Sequence, residues 1–315
     1  MRHLVVGPRG VGKTVFCQRL CRDEAAMFLN LDPASQTSAP LCCAELFDAG
    51  MSPLGFRFIG SLVAWRDPIA MLAALDWAME IAGDKPLVVE LTISTVGAVA
   101  VNVLRAITER FRPSLISSIG FDSAAAVLQP FRDAPVQEMA PQTDGSPHSQ
   151  QSESAWRKAK WKGTFGNCET RAIPIPGLQM IGSRIGSGAR LDDIELSKLR
   201  EIGLADAAYA EVIGRTLYAV FAGNADSETI GDACREFDCQ TAHLVHPRTF
   251  VGLVCGLETQ NGIHSAIGRV KKFDGDAIHL EAPSVSFDSL WRLRMGRMRL
   301  DDDENELGEL RAWQV

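Results

Sequence analysis

Short apolar runs and longer mixed segments alternate along the first 131 residues. The runs cover 3–6, 27–31, 55–59, 86–91 and 114–119, and short runs of this kind suit buried strands. The segments between them carry helix signals. Residues 15–22 follow a glycine-rich turn and can continue as a helix. Asp67 and Pro68 supply an N-cap and a proline at the first helical position, so a helix is expected over 68–82, stopped by Gly83. Another is expected over 96–111, ending before Pro113. Strands and helices in alternation predict a parallel α/β sheet flanked by helices. Ligands of such sheets bind beyond the carboxyl ends of the strands.

The pattern breaks at residue 132. From 132 to 154 apolar periodicity is almost absent, and the stretch reads as a mobile loop. Next comes Trp156-Arg157-Lys158-Ala159-Lys160-Trp161-Lys162, basic and aromatic at once. Farther on, a helix is expected over 191–202, with strands over 217–221, 242–246, 249–255, 264–273, 276–281 and 290–300 joined by glycine turns. The expected organisation is a core at 1–131, a loop and basic segment at 132–166, and a smaller, mostly β domain at 167–315.

A hydrophobic content of 46% over 315 residues supports a packed core and excludes global disorder. The formal net charge of −7 gives no general basic footprint, so any nucleic-acid contact must be local. The eight cysteines form no Cys-x-x-Cys pair and have no histidine at finger spacing, which argues against structural zinc. Cys17 and Cys21, one helical turn apart, read as small buried thiols. A strand that starts near residue 1 leaves no room for a secretory leader, and no run approaches membrane-spanning length. A cytoplasmic, reduced chain without membrane attachment is expected.

The strongest chemical signal is Gly7-Pro8-Arg9-Gly10-Val11-Gly12-Lys13-Thr14, a complete G-x-x-x-x-G-K-[ST] loop between an expected strand and an expected helix. Such a loop aims successive backbone N–H groups and a positive helix end at a polyphosphate. Residues 7–15, from Gly7 to Val15, are therefore the expected nucleotide-binding segment of a P-loop NTPase core. Lys13 faces solvent in this reading and reaches the β- and γ-phosphates, while the Thr14 hydroxyl ligates Mg²⁺.

Asp32 closes the second strand close to that loop, where it would hold Mg²⁺, accept a proton from an attacking hydroxyl, or cap the turn before Pro33. Glu90 ends the apolar 87–89 run, placed either as a second metal-side acid or as a cap. Ser61 follows another strand end and would touch the metal shell or the acceptor, or simply serve a turn. The 156–162 segment has three readings. It is a lid whose Arg157 and Lys160 or Lys162 neutralise the transferred phosphoryl group, a nucleic-acid contact with a stacking tryptophan, or a solvated helix face. Guanine recognition normally uses an Asn/Thr-Lys-x-Asp element. Lys271-Lys272-Phe273-Asp274 lacks its first residue, so ATP is the expected nucleotide.

Several of these pieces together resemble the polynucleotide 5′-hydroxyl kinases related to the pre-mRNA cleavage-factor kinase and the pre-rRNA-processing kinases. The loop opening Gly7-Pro8 is typical of that family. Leu31-Asp32-Pro33-Ala34-Ser35-Gln36, followed by Pro40, is similar to its D-x-G-Q block, with one extra residue before the glutamine. Phe58-Ile59-Gly60-Ser61 with Asp67-Pro68 resembles its F-G-S-x-x-P block, and Arg157 through Phe165-Gly166 its arginine-rich lid. Phe250-Val251-Gly252-Leu253, Ala266-Ile267-Gly268-Arg269-Val270, Leu280-Glu281-Ala282-Pro283 and Met295-Gly296-Arg297-Met298-Arg299-Leu300 follow its closing β-domain in order.

The resemblance implies transfer of the ATP γ-phosphate to the 5′-hydroxyl end of RNA or DNA. Lys13 and Thr14 would serve as the loop lysine and the metal-binding hydroxyl, Asp32 as the activating or metal-organising acid, and Arg157 as the lid arginine. Gln36, Ser61, Glu90, Lys160 and Lys162 would lie near the acceptor. The family's N-T-x-G-W block is replaced by Glu90-Leu91-Thr92-Ile93-Ser94, without the tryptophan that meets the RNA end, and lysines stand at 160 and 162 where arginines are usual. The N-terminal β-domain of the larger eukaryotic members has no expected counterpart. Two other functions fit the same residues: an ATP-gated interaction protein that meets a partner through its C-terminal domain, and a small-metabolite kinase.

Overall fold

A computed structural model describes residues 1–93, 98–120, 135–141, 150–260, 264–288 and 290–311. Ser94, the expected helix start at 96 and much of the expected 132–154 loop lie outside the described residues. The chain separates into two compact units, Met1–Trp161 and Lys162–Val315.

The first unit runs β1 (Arg2–Gly7), α1 (Lys13–Glu24), β2 (Met27–Asn30), β3 (Cys43–Phe47), β4 (Pro53–Phe58), α2 (Pro68–Ala82), β5 (Leu87–Thr92), α3 (Ala98–Phe111), β6 (Leu115–Ile119) and β7 (Val136–Met139). Helix α4 (Gln150–Phe165) crosses the division between the units. The described strands form one sheet in the order β4-β3-β2-β5-β1-β6-β7. Each of the five expected apolar runs falls on one of its strands.

The sheet is mixed, which corrects the all-parallel expectation. The run from β2 through β5, β1, β6 and β7 is parallel, but β3 pairs antiparallel with both β2 and β4. The chain between β2 and β3 contains no crossover helix, and a return without one places the next strand antiparallel. Strand β3 escaped the sequence reading because Glu45 interrupts its apolar run, although all five residues are buried. Strand β7 escaped because it is a short edge strand with three exposed residues. The expected loop is thus strand at 136–139 and helix from 150 onward, and the basic 156–162 segment lies inside α4.

Alternate side chains of β1 feed two cores. Leu4 and Val6 pack with Leu29, Val89 and Leu91 among Met71 and Leu75 of α2 and Leu104, Ile107 and Phe111 of α3. Val5 packs with Phe28 and Val88 against Cys17 and Cys21 of α1. The N-terminal signal of α2 operates as read, with the Asp67 carboxylate accepting from the Ala70 amide at 3.0 Å. All eight cysteines are free thiols. Burial pushes Cys21 up to about 12, so it stays protonated.

The second unit continues with β8 (Glu169–Pro174), β9 (Gln179–Ile181), β10 (Ala189–Arg190), α5 (Asp193–Glu201), β11 (Ala207–Ile213), β12 (Thr216–Phe221), α6 (Ser227–Glu236) and β13 (Thr241–Val245). It closes with β14 (Leu253–Glu258), β15 (His264–Phe273), β16 (Ala277–Ala282), β17 (Arg292–Leu300) and β18 (Glu306–Glu309). One sheet has the order β10-β11-β12-β13; the other has β18-β17-β14-β15-β16-β8, with β9 alongside β17. The sequence analysis did not identify α6, a ten-residue helix whose buried side chains, Ala233 and Cys234, are both small. Strand β14 starts at Leu253, later than expected, because residues 247–249 form a helical turn. Among the described residues, no helix is long and apolar enough to cross a membrane.

Candidate functional site

Strand β1 is an interior strand of the first sheet, between β5 and β6, and its end delivers the glycine-rich loop to the N-terminus of α1. Gly7 allows the close packing there, since a Cβ on it would collide with the Ile119 carbonyl of β6. Gly12 precedes α1 at φ 84°, a left-handed conformation that favours glycine, and no side chain caps the helix. The first-turn amides of α1 therefore suit an acceptor supplied from outside.

Lys13 is buried, only 4% exposed, which corrects the expectation of a solvent-facing lysine. Its Nζ donates to the Pro8 carbonyl at 2.8 Å and stands 3.8 Å from Glu90 Oε1. The Thr14 hydroxyl donates to the same Glu90 oxygen at 3.0 Å. The second Glu90 oxygen, Oε2, is buried without a hydrogen-bond partner. Burial pushes the Glu90 carboxyl up to about 7, the nearby Lys13 ammonium and the Thr14 hydrogen bond pull it down, and the Asp32 charge adds to the rise. Burial likewise lowers Lys13, while Glu90 and Asp32 raise it.

The Glu90 shift predicts a pH dependence. Its ordinary value is 4.5, so between that pH and about 7 the folded chain keeps a proton that the unfolded chain has lost. Stability contributed by Glu90 therefore falls as pH rises across this window and is level above it. Burial lowers His3 from 6.5, which acts in the opposite sense below that pH. A comparison of wild type with Glu90→Gln cancels the His3 effect. The variant is expected to gain stability relative to wild type from pH 5 to pH 8, read as urea midpoints. Parallel pH profiles would show that Glu90 ionises normally.

Asp32 lies just past β2, 3% exposed, with both carboxylate oxygens engaged. Oδ1 accepts from the Ala34 amide at 3.1 Å and from Arg9 Nη2 at 3.3 Å, and Oδ2 accepts from the Thr92 hydroxyl at 2.7 Å. Register explains the meeting, because Gly7 pairs with Thr92 across β1 and β5, and Asn30 pairs with Glu90 across β2 and β5. Glu90 and Thr92, two apart on β5, point to the same side of the sheet. Arg9 also donates to the Leu62 carbonyl at 3.3 Å. Arg9, Asp32 and Thr92 thus line an open cleft of about 370 Å³, walled by Leu62, Val63, Ala64 and Trp65.

Gln36 is buried, its Nε2 donating to the Asp32 carbonyl at 2.5 Å, and its Oε1 has no hydrogen-bond partner. Ser61 accepts from the Val63 amide at 2.9 Å and donates to the Val63 carbonyl at 3.0 Å, so it shapes the cleft wall. On α4, Arg157 stands 3.7 Å from Glu153, one turn back, and Lys160 donates to the Thr37 carbonyl at 2.7 Å. Lys162 belongs to the second unit. Three residues were missed: Thr92, Asn30 and Glu45. Thr92 had a signal, a hydroxyl two positions beyond Glu90 on the same strand. Asn30 and Glu45 had none, because their partners are backbone groups of the 32–39 segment and, for Glu45, the Ser38 hydroxyl as well. Among the described residues, no cluster of three or more His, Cys, Asp or Glu side chains could hold a metal by itself.

Fold and loop together define a mixed α/β protein with a strand–glycine loop–helix unit in the interior of its first sheet. No protein-family model matches the chain, and no curated protein matches it. It is similar in fold to a solved complex of wild-type Clp1p with Pcf11p, at 10% identity and a TM-score of 0.56, over 95% of this chain and 74% of the matched chain. A second similar structure, with the same identity, coverage and score, describes an extended Pcf11p–Clp1p interface and the basis of ATP loss in a glycine-to-arginine point mutant. At this identity the likeness establishes the fold.

Proposed function

We propose that this protein is an ATP-dependent polynucleotide 5′-hydroxyl kinase. The observation that carries the reading is the convergence of Asp32, Thr92 and Arg9 in one cleft beside the Lys13–Glu90–Thr14 cluster. The glycine loop and the α1 N-terminus would hold the phosphates through backbone N–H groups, with Lys13 supplying a charge-assisted donor. The donor set fits a divalent cation as well, since the Thr14 hydroxyl bonds one Glu90 carboxylate oxygen, Oε1, and the other, Oε2, is buried without a partner. Mg²⁺ bound there would neutralise charge on the β- and γ-phosphate oxygens. Thr92 and the Ala34 amide orient the Asp32 carboxylate, which would accept the proton of the acceptor hydroxyl. Arg9 would balance negative charge between loop and cleft, and Arg157 of α4 would act as the lid arginine that the sequence resemblance implies.

The decisive experiment incubates the purified chain with γ-labelled ATP, Mg²⁺ and 5′-hydroxyl RNA and DNA oligonucleotides. Label is expected on the oligonucleotide ends. A second reading is an ATP-binding interaction protein. It is favoured by Leu91-Thr92-Ile93 in place of the tryptophan-bearing block and by the Pcf11p complexes of similar fold. Nucleotide binding without transfer of label to any acceptor would decide for it.

A further inference from the structure

Glu45 sits in the middle of β3, 1% exposed, with no role in the cleft. Its carboxylate is nevertheless filled with donors. The amides of Thr37, Ser38 and Ala39 donate to it at 3.0, 3.0 and 2.6 Å, and the Ser38 hydroxyl donates as well. Three successive backbone N–H groups converging on one carboxylate fix the turn 37–39 as firmly as a bound anion would. The remainder of the segment is braced from β2. Asn30, the register partner of Glu45, accepts from the Asp32 amide at 2.9 Å and donates to the Ser35 carbonyl at 2.9 Å. Gln36 closes onto the Asp32 carbonyl, and the Thr37 carbonyl receives Lys160 of α4. A continuous hydrogen-bonded path therefore runs from Asp32 to α4, and Glu45 is its hub.

We propose that Glu45 is a positioning residue that couples the placement of Asp32 to the docking of α4. Its catalytic consequence rests on the kinase reading above; the coupling itself does not. A carboxylate is needed because every group facing it is a donor. An amide in its place would offer one oxygen to four donors and turn its own N–H groups against them. The unsatisfied backbone amides would then open the turn toward water, releasing both Gln36 and the Thr37 carbonyl.

The test uses the full chain with Glu45→Gln, Lys160→Met and the double variant. Hydrogen exchange is expected to rise about tenfold over 33–40 and over 150–161 in Glu45→Gln, as local opening does, while α1 keeps its protection. Phosphate transfer is expected to fall about tenfold or more in kcat, because a displaced Asp32 loses its attack geometry, with ATP affinity unchanged. Lys160→Met is expected to add nothing in the Glu45→Gln background, since the path is already broken. Unchanged exchange over 150–161 in Glu45→Gln, or an undiminished Lys160→Met effect there, overturns the coupling. Where Glu45→Gln does not fold, Ser38→Ala, at an exposed position, is expected to show the same exchange pattern on a smaller scale, and no change over 150–161 overturns the proposal equally. A wild-type chain that transfers no phosphate defeats the kinase reading alone, because the exchange measurements still decide the coupling.

Discussion

Lys13→Met is expected to lower phosphate transfer on the order of 10³-fold while the chain remains folded. Removing one preorganised donor at developing charge commonly costs this much, because nothing else in a dry site replaces it. Methionine fills the buried slot with a stem of similar length, whereas alanine would leave a cavity at a position only 4% exposed. The variant also takes away the ammonium 3.8 Å from Glu90. That carboxyl, already pushed up to about 7, then holds its proton to still higher pH, and as a neutral group it still accepts from Thr14. Folding, read by circular dichroism, is therefore expected to survive near neutral pH. A variant that labels oligonucleotide ends at the wild-type rate would remove Lys13 from the phosphate site.

Asp32→Asn is expected to reduce turnover by about 10²- to 10⁴-fold, the range of a lost general base, with a much smaller change in ATP affinity. The substitution is nearly isosteric, and the site can absorb it. The Ala34 amide and Arg9 keep an oxygen acceptor if the carboxamide oxygen takes the Oδ1 position. The Thr92 hydroxyl can rotate to accept from the new amide instead of donating. Lost turnover in a well-folded variant would therefore report chemistry. Steady-state kinetics beside equilibrium nucleotide binding separates the outcomes. Equal losses in both make Asp32 a metal anchor, and unchanged kinetics make it a turn cap.

The sequence determined the parts of this protein whose information is local. A glycine loop between an apolar run and a helix is encoded in contiguous residues, because φ freedom, capping and proline geometry are properties of neighbours in the chain. Asp67-Pro68 and Gly83 bounded α2 for the same reason. Asp32 was legible as a strand-end acid, since a parallel sheet gathers its carboxyl ends on one edge. Tertiary structure decided the rest. Glu45 carries no local signal of its role, which exists only because the 37–39 amides fold onto it. Thr92 acquired its role only through the pairing of β1 with β5 and β5 with β2. Lys13 was expected to face solvent, yet it lies buried beside Glu90, where the neighbouring carboxylate offsets part of the desolvation. The mixed sheet followed from the direction in which the chain returns after Asp32, which no residue pattern announces. Local pattern sets backbone conformation. Which polar groups face one another across a sheet depends on residues far apart in sequence, and only the folded register brings them together.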